Sequence, residues 1–201
     1  MSQAKQISDV TLAVLAGGAG RRMGMPKSRL TIRGRPILQF LLGSMQWPGP
    51  TLLATSPEFK NPPGVEAFDR QVVDPAAEGP LRGVLTALDK CGTPLLAVIS
   101  VDMLMLRPAH LHWLLNELQT RSDSLGLMSK RSAGIEPLPL VCRKNAAAAV
   151  AAHWARGNRS LRSLTEIAGF AAIDAPADWP PQVWSNINTP QDYADFVQRL
   201  S

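Results

Sequence analysis

The segment VTLAVLAGGAGRRMGMPKSRL, residues 10–30, joins an apolar run to a loop of glycines and cations. The apolar run, Val10–Leu15, is typical of a strand that is buried on both faces of a parallel sheet. Gly17, Gly18 and Gly20 follow it, and glycines leave amide N–H groups free to point at the phosphate oxygens of a closely bound ligand. A buried strand that ends in such a loop predicts a phosphate-binding turn at the edge of an α/β sheet.

Three cations in the same loop favour a triphosphate. Arg21, Arg22 and Lys27 can neutralise its charge, since arginine grips two oxygens at once and lysine acts as a point charge. Two other nucleotide-binding loops do not fit. The chain has no GxxxxGK[ST] string of a Walker A loop, and Met23 stands where a GxGxxG dinucleotide fingerprint needs its third glycine. An NAD-type dehydrogenase is therefore disfavoured.

Strand-like apolar runs alternate with helical patterns along the rest of the chain. Further strands are expected at residues 51–55, 71–74, 94–100, 124–128 and 138–142, and helices at 36–45, 79–90, 108–119, 145–154, 160–167 and 192–200. This alternation predicts a single Rossmann-like, three-layer α/β domain over residues 1–201, with a mostly parallel sheet and helices on both faces. We expect residues 1–9 to form a flexible N-terminus.

Asp102 follows the apolar run 94–100, so it is expected at the same sheet edge as the glycine loop. A carboxylate there can hold Mg²⁺, which proteins bind through one or two carboxylates together with substrate phosphates. A helix cap or turn is the alternative interpretation, but Pro108, where the next helix begins, lies six residues further on. The three histidines share no metal-ligand spacing, and we assign no chemistry to them.

Weaker signals lie in other segments. Asp74 precedes a Gly-Pro turn into a helix, whose N-terminus offers donors to a base or a phosphate. Asn186 and Asn188 flank one residue, so on an extended segment both side chains face the same way, towards a substrate or a metal-bound water. Thr189 is expected to cap the last helix. Arg159 lies in a turn that could bind a second anionic group, although a surface loop is the simpler interpretation.

Composition limits the class of partner. Hydrophobic residues make up 45% of the 201, enough for a sizeable core, and the formal net charge of +5 favours anionic partners. The chain has no uninterrupted block of Lys and Arg of the kind that indicates nucleic-acid binding. No apolar run reaches the roughly 20 residues of a membrane helix. Cys91 and Cys142 form no CxxC pair, and the N-terminal segment is polar, so we expect a reduced, cytoplasmic protein.

Several segments, taken in order, resemble the molybdenum cofactor guanylyltransferase family, within the wider MobA-like group of nucleotidyltransferases. They are LAGGAGRRMG (15–24), GPLRGVLTAL (79–88), the strand that leads to Asp102, GIEPLPLVCRK (134–144), GNRSLRSLTEIAG (157–169) and SNINTPQDY (185–193). The resemblance extends from about Leu12 to Tyr193. It implies that a molybdopterin phosphate attacks the α-phosphate of GTP, with Mg²⁺ as cofactor and proteins of the same pathway as possible partners.

The resemblance also implies roles for individual residues. Nucleotide contacts are expected from Leu15, Ala16, Gly17, Gly18, Lys27, Thr55, Asp74 and Asp102. Catalytic charge neutralisation is expected from Arg21, Arg22, Lys27 and Asp102, with Asp102 as the metal ligand. Substrate contacts are expected from Arg159, Asn186 and Asn188.

Two positions leave the base and the acceptor open. The family usually has an acidic residue before the lysine, but here Pro26 precedes Lys27, which looks more like the related cytidylyltransferases and sugar-nucleotide enzymes. At position 55 the family often has asparagine, and here the residue is Thr55. The alternative reactions pair CTP with molybdopterin, or a nucleotide with a sugar phosphate. An alternative of another class is a non-catalytic nucleotide-binding homologue, against which Lys27 and Asp102 argue.

Overall fold

The computed structural model describes residues 8–75 and 78–200. Its strands are β1 (Val10–Leu15), β2 (Thr31–Ile32), β3 (Arg35–Pro36), β4 (Thr51–Thr55), β5 (Arg70–Val73), β6 (Leu95–Ser100), β7 (Gly126–Arg131), β8 (Gly134–Arg143) and β9 (Phe170–Asp174). Its helices are α1 (Ile37–Met45), α2 (Pro80–Lys90), α3 (Pro108–Gln119), α4 (Ala147–Ala155) and α5 (Pro190–Arg199). None of the helices in these ranges is both long and apolar enough to cross a membrane. Most of the expected flexible N-terminus, residues 1–7, lies outside the described residues.

Seven of these strands form one sheet in the order β5–β4–β1–β6–β8–β7–β9. β1 pairs in parallel with β4 and β6, β4 with β5, and β7 with β9. β8 is antiparallel to its two neighbours, β6 and β7. The prediction of a mostly parallel sheet is confirmed. The carboxyl ends of β5, β4, β1, β6, β7 and β9 therefore reach one common edge.

Alternate residues of the strands supply two hydrophobic cores, one on each face of the sheet. On β1, Leu12 and Val14 belong to the core that packs against α1, α3 and α5, whereas Ala13 belongs to the core that packs against α2 and α4. All three side chains are fully buried. Because successive side chains of a strand face opposite ways, a strand covered on both faces needs an unbroken apolar run. The prediction of helices on both faces is confirmed.

Helix α2 brings its N-terminus to the carboxyl edge of the sheet. It begins at Pro80, whose fixed φ and missing N–H suit the first turn of a helix. Leu81, Val84 and Leu88 are buried at intervals of three and four residues, which places them on the face that packs against the sheet. The helix therefore lies antiparallel to the strands and leaves its first turn exposed at the edge where they end.

Two regions differ from the elements that the sequence predicts. β2 and β3 form a small hairpin whose turn residues, Arg33 and Gly34, have positive φ values of 48° and 74°. Such a turn usually carries Asn-Gly, so Arg-Gly gave no hairpin signal. The helix expected at 160–167 is a short 3-10 turn, Arg162–Glu166, and strand β9 follows it unpredicted. Two alanines in β9 carry little strand propensity.

Gly126 tests the packing at the start of β7. A Cβ added there would lie 2.8 Å from Cδ1 of Phe170 and 3.0 Å from Cβ of Cys142. We expect Gly126→Ala to lower the free energy of unfolding by about 1–3 kcal/mol, the usual cost of overpacking a core. Gly92→Ala is the matched control, because a Cβ there meets no atom within 4 Å. Urea denaturation measures both variants, and a wild-type free energy for Gly126→Ala would contradict the described packing.

Candidate active site

Two adjoining clefts open at the carboxyl edge of the sheet. The larger has a volume of about 580 Å³ and the smaller about 310 Å³. Leu15, Gly18, Gly20, Arg21 and Ser100 line both, so the clefts form one continuous depression. The larger volume suits a small-molecule ligand, and the position agrees with the rule that open α/β sheets bind ligands beyond the carboxyl ends of their strands.

The larger cleft lies over the ends of β1, β4 and β5 and against the start of α2. Its further lining includes Gly17, Thr55, Ser56, Asp74, Gly79 and Gly83. Asp74 is buried, and its Oδ1 accepts a hydrogen bond from Nε of Arg82 at 3.3 Å. Thr55 is also buried, and its Oγ1 accepts from Nε2 of Gln71 at 3.0 Å. Two of the expected nucleotide contacts therefore line this cleft as ordered polar groups.

Lys27 and Asp102 meet in the smaller cleft although 75 positions separate them in the chain. Nζ of Lys27 donates to Oδ2 of Asp102 at 2.5 Å and to Oδ1 of Asn188 at 2.8 Å. The side chains of Lys27 and Asp102 are only 18% and 9% exposed, so water screens their attraction weakly. The ion pair therefore fixes the loop after β1 to the loop after β6.

Asn188 reaches Lys27 because helix α5 begins directly behind it. Thr189 caps this helix as predicted, and its Oγ1 accepts from the backbone N–H of Asp192 at 3.2 Å. The Asp192 carboxylate accepts in return from the backbone N–H groups of Asn188 at 2.9 Å and Thr189 at 2.8 Å. The bond from Asn188 is the main cause that lowers the pKa of Asp192 from its ordinary value. The ionised carboxylate thus holds Asn188 in place at neutral pH.

The glycines of the loop are required for different reasons. A Cβ at Gly17 would lie 3.0 Å from the backbone N of Ser56, and Gly20 has a φ of 61° with the carbonyl group of Met25 against it. Packing and backbone conformation therefore account for these two glycines. A Cβ at Gly18 meets no atom within 4 Å, and its φ lies outside the left-handed region. Because Gly18 lines both clefts, the free space beside it is available to a ligand.

Arg21 and Arg22 give the smaller cleft a positive charge. Both line the cleft and both are exposed. Neither forms an ion pair within residues 8–75 and 78–200, whereas the charge of Lys27 is balanced by Asp102. Uncompensated guanidinium groups beside a cleft attract anions and can grip phosphate oxygens in pairs.

The surroundings of Asp102 fit a divalent cation that binds oxygen. Its Oδ1 is buried and has no hydrogen-bond partner among the described residues, because Lys27 occupies Oδ2. In the described ranges no three His, Cys, Asp or Glu side chains come together as a metal site. One free carboxylate oxygen suits Mg²⁺, which takes most of its ligands from water and substrate phosphates. It does not suit zinc, which needs several protein ligands.

Three residues singled out from the sequence lie outside the lining of the two clefts. Ala16 is buried, and its backbone N–H is bonded within the sheet. Asn186 is exposed, so the structure brings only its neighbour Asn188 to Lys27. Arg159 lies with its Cζ 3.7 Å from the ring centroid of Trp154 and pairs with Glu78 at 3.3 Å.

Several lining residues were missed from the sequence, among them Ser56, Ser100 and Leu138. Ser56 directly follows β4, and Ser100 ends β6. The carboxyl-end rule, applied to every strand, would have found both. Leu138 lies within β8 and lines the larger cleft because of how that antiparallel strand sits beside β6. No local pattern marks Leu138, since its place depends on the strand order.

A sequence model of the MobA-like NTP transferase domain matches residues 12–173, most of the chain. The chain belongs to the MobA-like NTP transferase family. It is a nucleotidyltransferase, as the sequence predicts, and its glycine loop and Asp102 lie within the matched range.

Individual relatives agree with this family assignment. A probable molybdenum cofactor guanylyltransferase of Opitutus terrae is 30% identical, over 75% of this chain and 74% of the relative. Another from Nostoc sp. is 25% identical, over 94% of this chain and 90% of the relative. The crystal structure of molybdopterin-guanine dinucleotide biosynthesis protein A from Archaeoglobus fulgidus has a TM-score of 0.77 at 24% identity, covering 94% of this chain and 98% of that chain. This last likeness shows a shared fold.

A substitution at Gly18 tests ligand binding without a change in the stability of the fold. We expect Gly18→Ala to keep the wild-type free energy of unfolding within about 0.5 kcal/mol, as is usual for substitutions that touch nothing. We expect it to weaken nucleotide binding about tenfold or more, because the new methyl group fills space that the ligand needs. Isothermal titration with a nucleoside triphosphate measures the affinity, and Gly92→Ala serves as control. An unchanged affinity of Gly18→Ala for the nucleoside triphosphate would show that the phosphates do not bind beside Gly18.

Proposed function

We propose that this protein transfers a GMP moiety from GTP to the phosphate of molybdopterin, forming molybdopterin guanine dinucleotide and pyrophosphate. The observation that carries the proposal is the cluster of Lys27, Asp102 and Asn188 beside the glycine loop. It supplies a fixed cation in the smaller cleft, together with a carboxylate oxygen that has no partner among the described residues. The relatives named molybdenum cofactor guanylyltransferases support GTP and molybdopterin as the substrate pair.

The chemistry needs no general base. The acceptor phosphate oxygen is already ionised, and it attacks the α-phosphorus of GTP. The bond from that phosphorus to the oxygen bridging to the β-phosphate breaks, and pyrophosphate leaves with the electron pair. Since no proton moves in this step, the enzyme contributes alignment of the two anions and neutralisation of their charge.

The loop after β1 performs the neutralisation. In our proposal the backbone N–H groups of Gly17 and Gly18 donate to phosphate oxygens. Lys27 is already ordered by two hydrogen bonds, so its charge needs no reorganisation when the substrate binds. Arg21 and Arg22 are exposed and unpaired within the described residues, which suits them to balance the charge of the departing pyrophosphate.

The larger cleft takes the nucleoside in this proposal. Leu15, Thr55 and Asp74 line it together with Gly17 and Gly18, the glycines that hold the phosphates in this proposal. The buried Asp74 carboxylate offers acceptor oxygens to hydroxyl or amino groups of the nucleoside. A few polar groups in a largely apolar cleft are what fixes the orientation of a bound ligand.

We further propose that Mg²⁺ is the divalent cation and that Oδ1 of Asp102 holds it. When bound, it supplies positive charge to the phosphate oxygens. Lys27 contributes indirectly by occupying Oδ2 of Asp102, which leaves Oδ1 as the available ligand. Asn188 accepts a second hydrogen bond from Lys27 and so restricts the direction of that ammonium group.

A nucleotide panel tests the substrate assignment. Pyrophosphate release is measured with GTP, CTP, ATP and UTP in turn, each with molybdopterin and Mg²⁺. We expect release with GTP to exceed release with the other three by at least about tenfold. Release with CTP alone, or release only when a sugar phosphate replaces molybdopterin, would overturn the guanylyl assignment. Omission of Mg²⁺ with excess chelator is expected to abolish release.

Two variants test the cluster. We expect Asp102→Asn, which keeps the shape but removes the charge, to lower kcat by about 10²–10³-fold, the usual cost of losing one electrostatic group. Lys27→Met is expected to raise KM for GTP or to lower kcat. Asp89→Asn is the control, because Asp89 is an exposed carboxylate that pairs only with Lys90 among the described residues. Wild-type turnover in Asp102→Asn, over a range of Mg²⁺ concentrations, would remove its proposed role.

A further inference from the structure

A third feature of the carboxyl edge lies outside the two clefts. β7 ends at Arg131, and because β8 is antiparallel to both β6 and β7, β7 runs in the direction of β6. Neighbouring strands are about 4.8 Å apart, so the end of β7 lies about 10 Å across the sheet from the end of β6. Asp102 follows the end of β6. Arg131 therefore lies on the same edge as the reacting groups, on the side away from the larger cleft.

Arg131 is stacked on an aromatic ring at this edge. Its Cζ lies 5.4 Å from the ring centroid of Trp184, and Nε donates to Oε1 of Glu136 at 3.0 Å. Nη2 of Arg131 donates to the same oxygen, so two bonds fix the plane of the guanidinium group. The Arg131 side chain is 32% exposed, and Trp184 is half-buried. The pair, which we call the Arg131–Trp184 stack, is both ordered and accessible.

The chain itself connects this stack to the reacting groups. Residues 175–188 return from the end of β9 towards β6, and Trp184 lies on this path. Three residues later the backbone N–H of Ile187 donates to the carbonyl oxygen of Asp102 at 3.3 Å, and Asn188 then accepts from Lys27. Three residues of extended chain span at most about 11 Å. The backbone at Trp184 therefore lies close enough to the Asp102 loop for one small organic molecule to reach both.

We propose that the Arg131–Trp184 stack binds the acceptor, and that it selects an acceptor with a planar heterocycle. This inference rests on the proposed function and adds the residues that hold the second substrate. An indole face packs against a flat ring, and a guanidinium group also stacks on such rings. A sugar phosphate has no flat ring, so it gains little from the indole face. The stack therefore favours a pterin phosphate over a sugar phosphate.

The kinetic test compares three substitutions on this edge. We expect Arg131→Gln and Trp184→Ala each to raise KM for molybdopterin about tenfold, the scale of losing one stacking partner, with KM for GTP unchanged. Trp184→Phe keeps a flat ring and is expected to restore most of the loss. Lys130→Gln is the matched control, since Lys130 is the adjacent cation, faces the other side of β7 and pairs with Asp174 at 3.3 Å. An unchanged KM for molybdopterin in both Arg131→Gln and Trp184→Ala would overturn the inference.

A binding measurement distinguishes this inference from the proposed function. Molybdopterin alone, without GTP, is titrated into the wild type and Trp184→Phe while tryptophan fluorescence is recorded. We expect quenching in the wild type and a smaller quench in Trp184→Phe, because the stacked indole is gone. Absence of pyrophosphate release by the wild type would overturn the proposed function only. Equal quenching in the two proteins would overturn the stack, even in an active enzyme.

Discussion

The ion pair between Lys27 and Asp102 is the interaction on which the site depends. It joins the loop after β1 to the loop after β6, the two parallel neighbours at the centre of the sheet. Asn188 adds the start of α5 to the same point, so three distant segments converge on one ammonium group. Because the pair is largely buried, each partner needs the other, and removing either would leave an uncompensated charge. The same pair leaves one oxygen of Asp102 without a partner among the described residues.

The direction of the strands explains why these groups can meet. β1 and β6 are parallel, so their carboxyl ends, and the loops that follow them, reach the same edge. The two hydrophobic cores hold the sheet from both sides and leave that edge open for the clefts. The glycine loop then divides its tasks: Gly17 and Gly20 satisfy packing and backbone conformation, whereas Gly18 leaves space for a ligand. In our proposal, stability and ligand binding thus fall to nearby residues of one loop.

Charge differs between regions of the edge, and in the proposed reaction each region suits a different substrate group. Arg21 and Arg22 carry uncompensated positive charge beside the smaller cleft, whereas Lys27 is already paired. Unpaired guanidinium groups can adjust their position to that of the phosphate oxygens, whereas a fixed ammonium group binds a phosphate oxygen at one defined position. Across the sheet, Arg131 is held by Glu136 on the face of Trp184, where its charge is combined with an aromatic surface. The edge thus offers uncompensated charge at one end and, at the other, a guanidinium group paired with Glu136 against a flat apolar face.

The sequence by itself determined the α/β class, the place of the glycine- and cation-rich loop at the sheet edge, and the position of Asp102 at a strand end. These depend on local apolar runs and on glycine and cation spacing. It also determined the cap at Thr189, which is a contact between near neighbours. Only the tertiary structure decided that Asn188, and not Asn186, reaches Lys27, that β8 is antiparallel, and that Arg131 meets Trp184. These facts depend on strand order and on contacts between distant segments. Short-range periodicity carries no information about either.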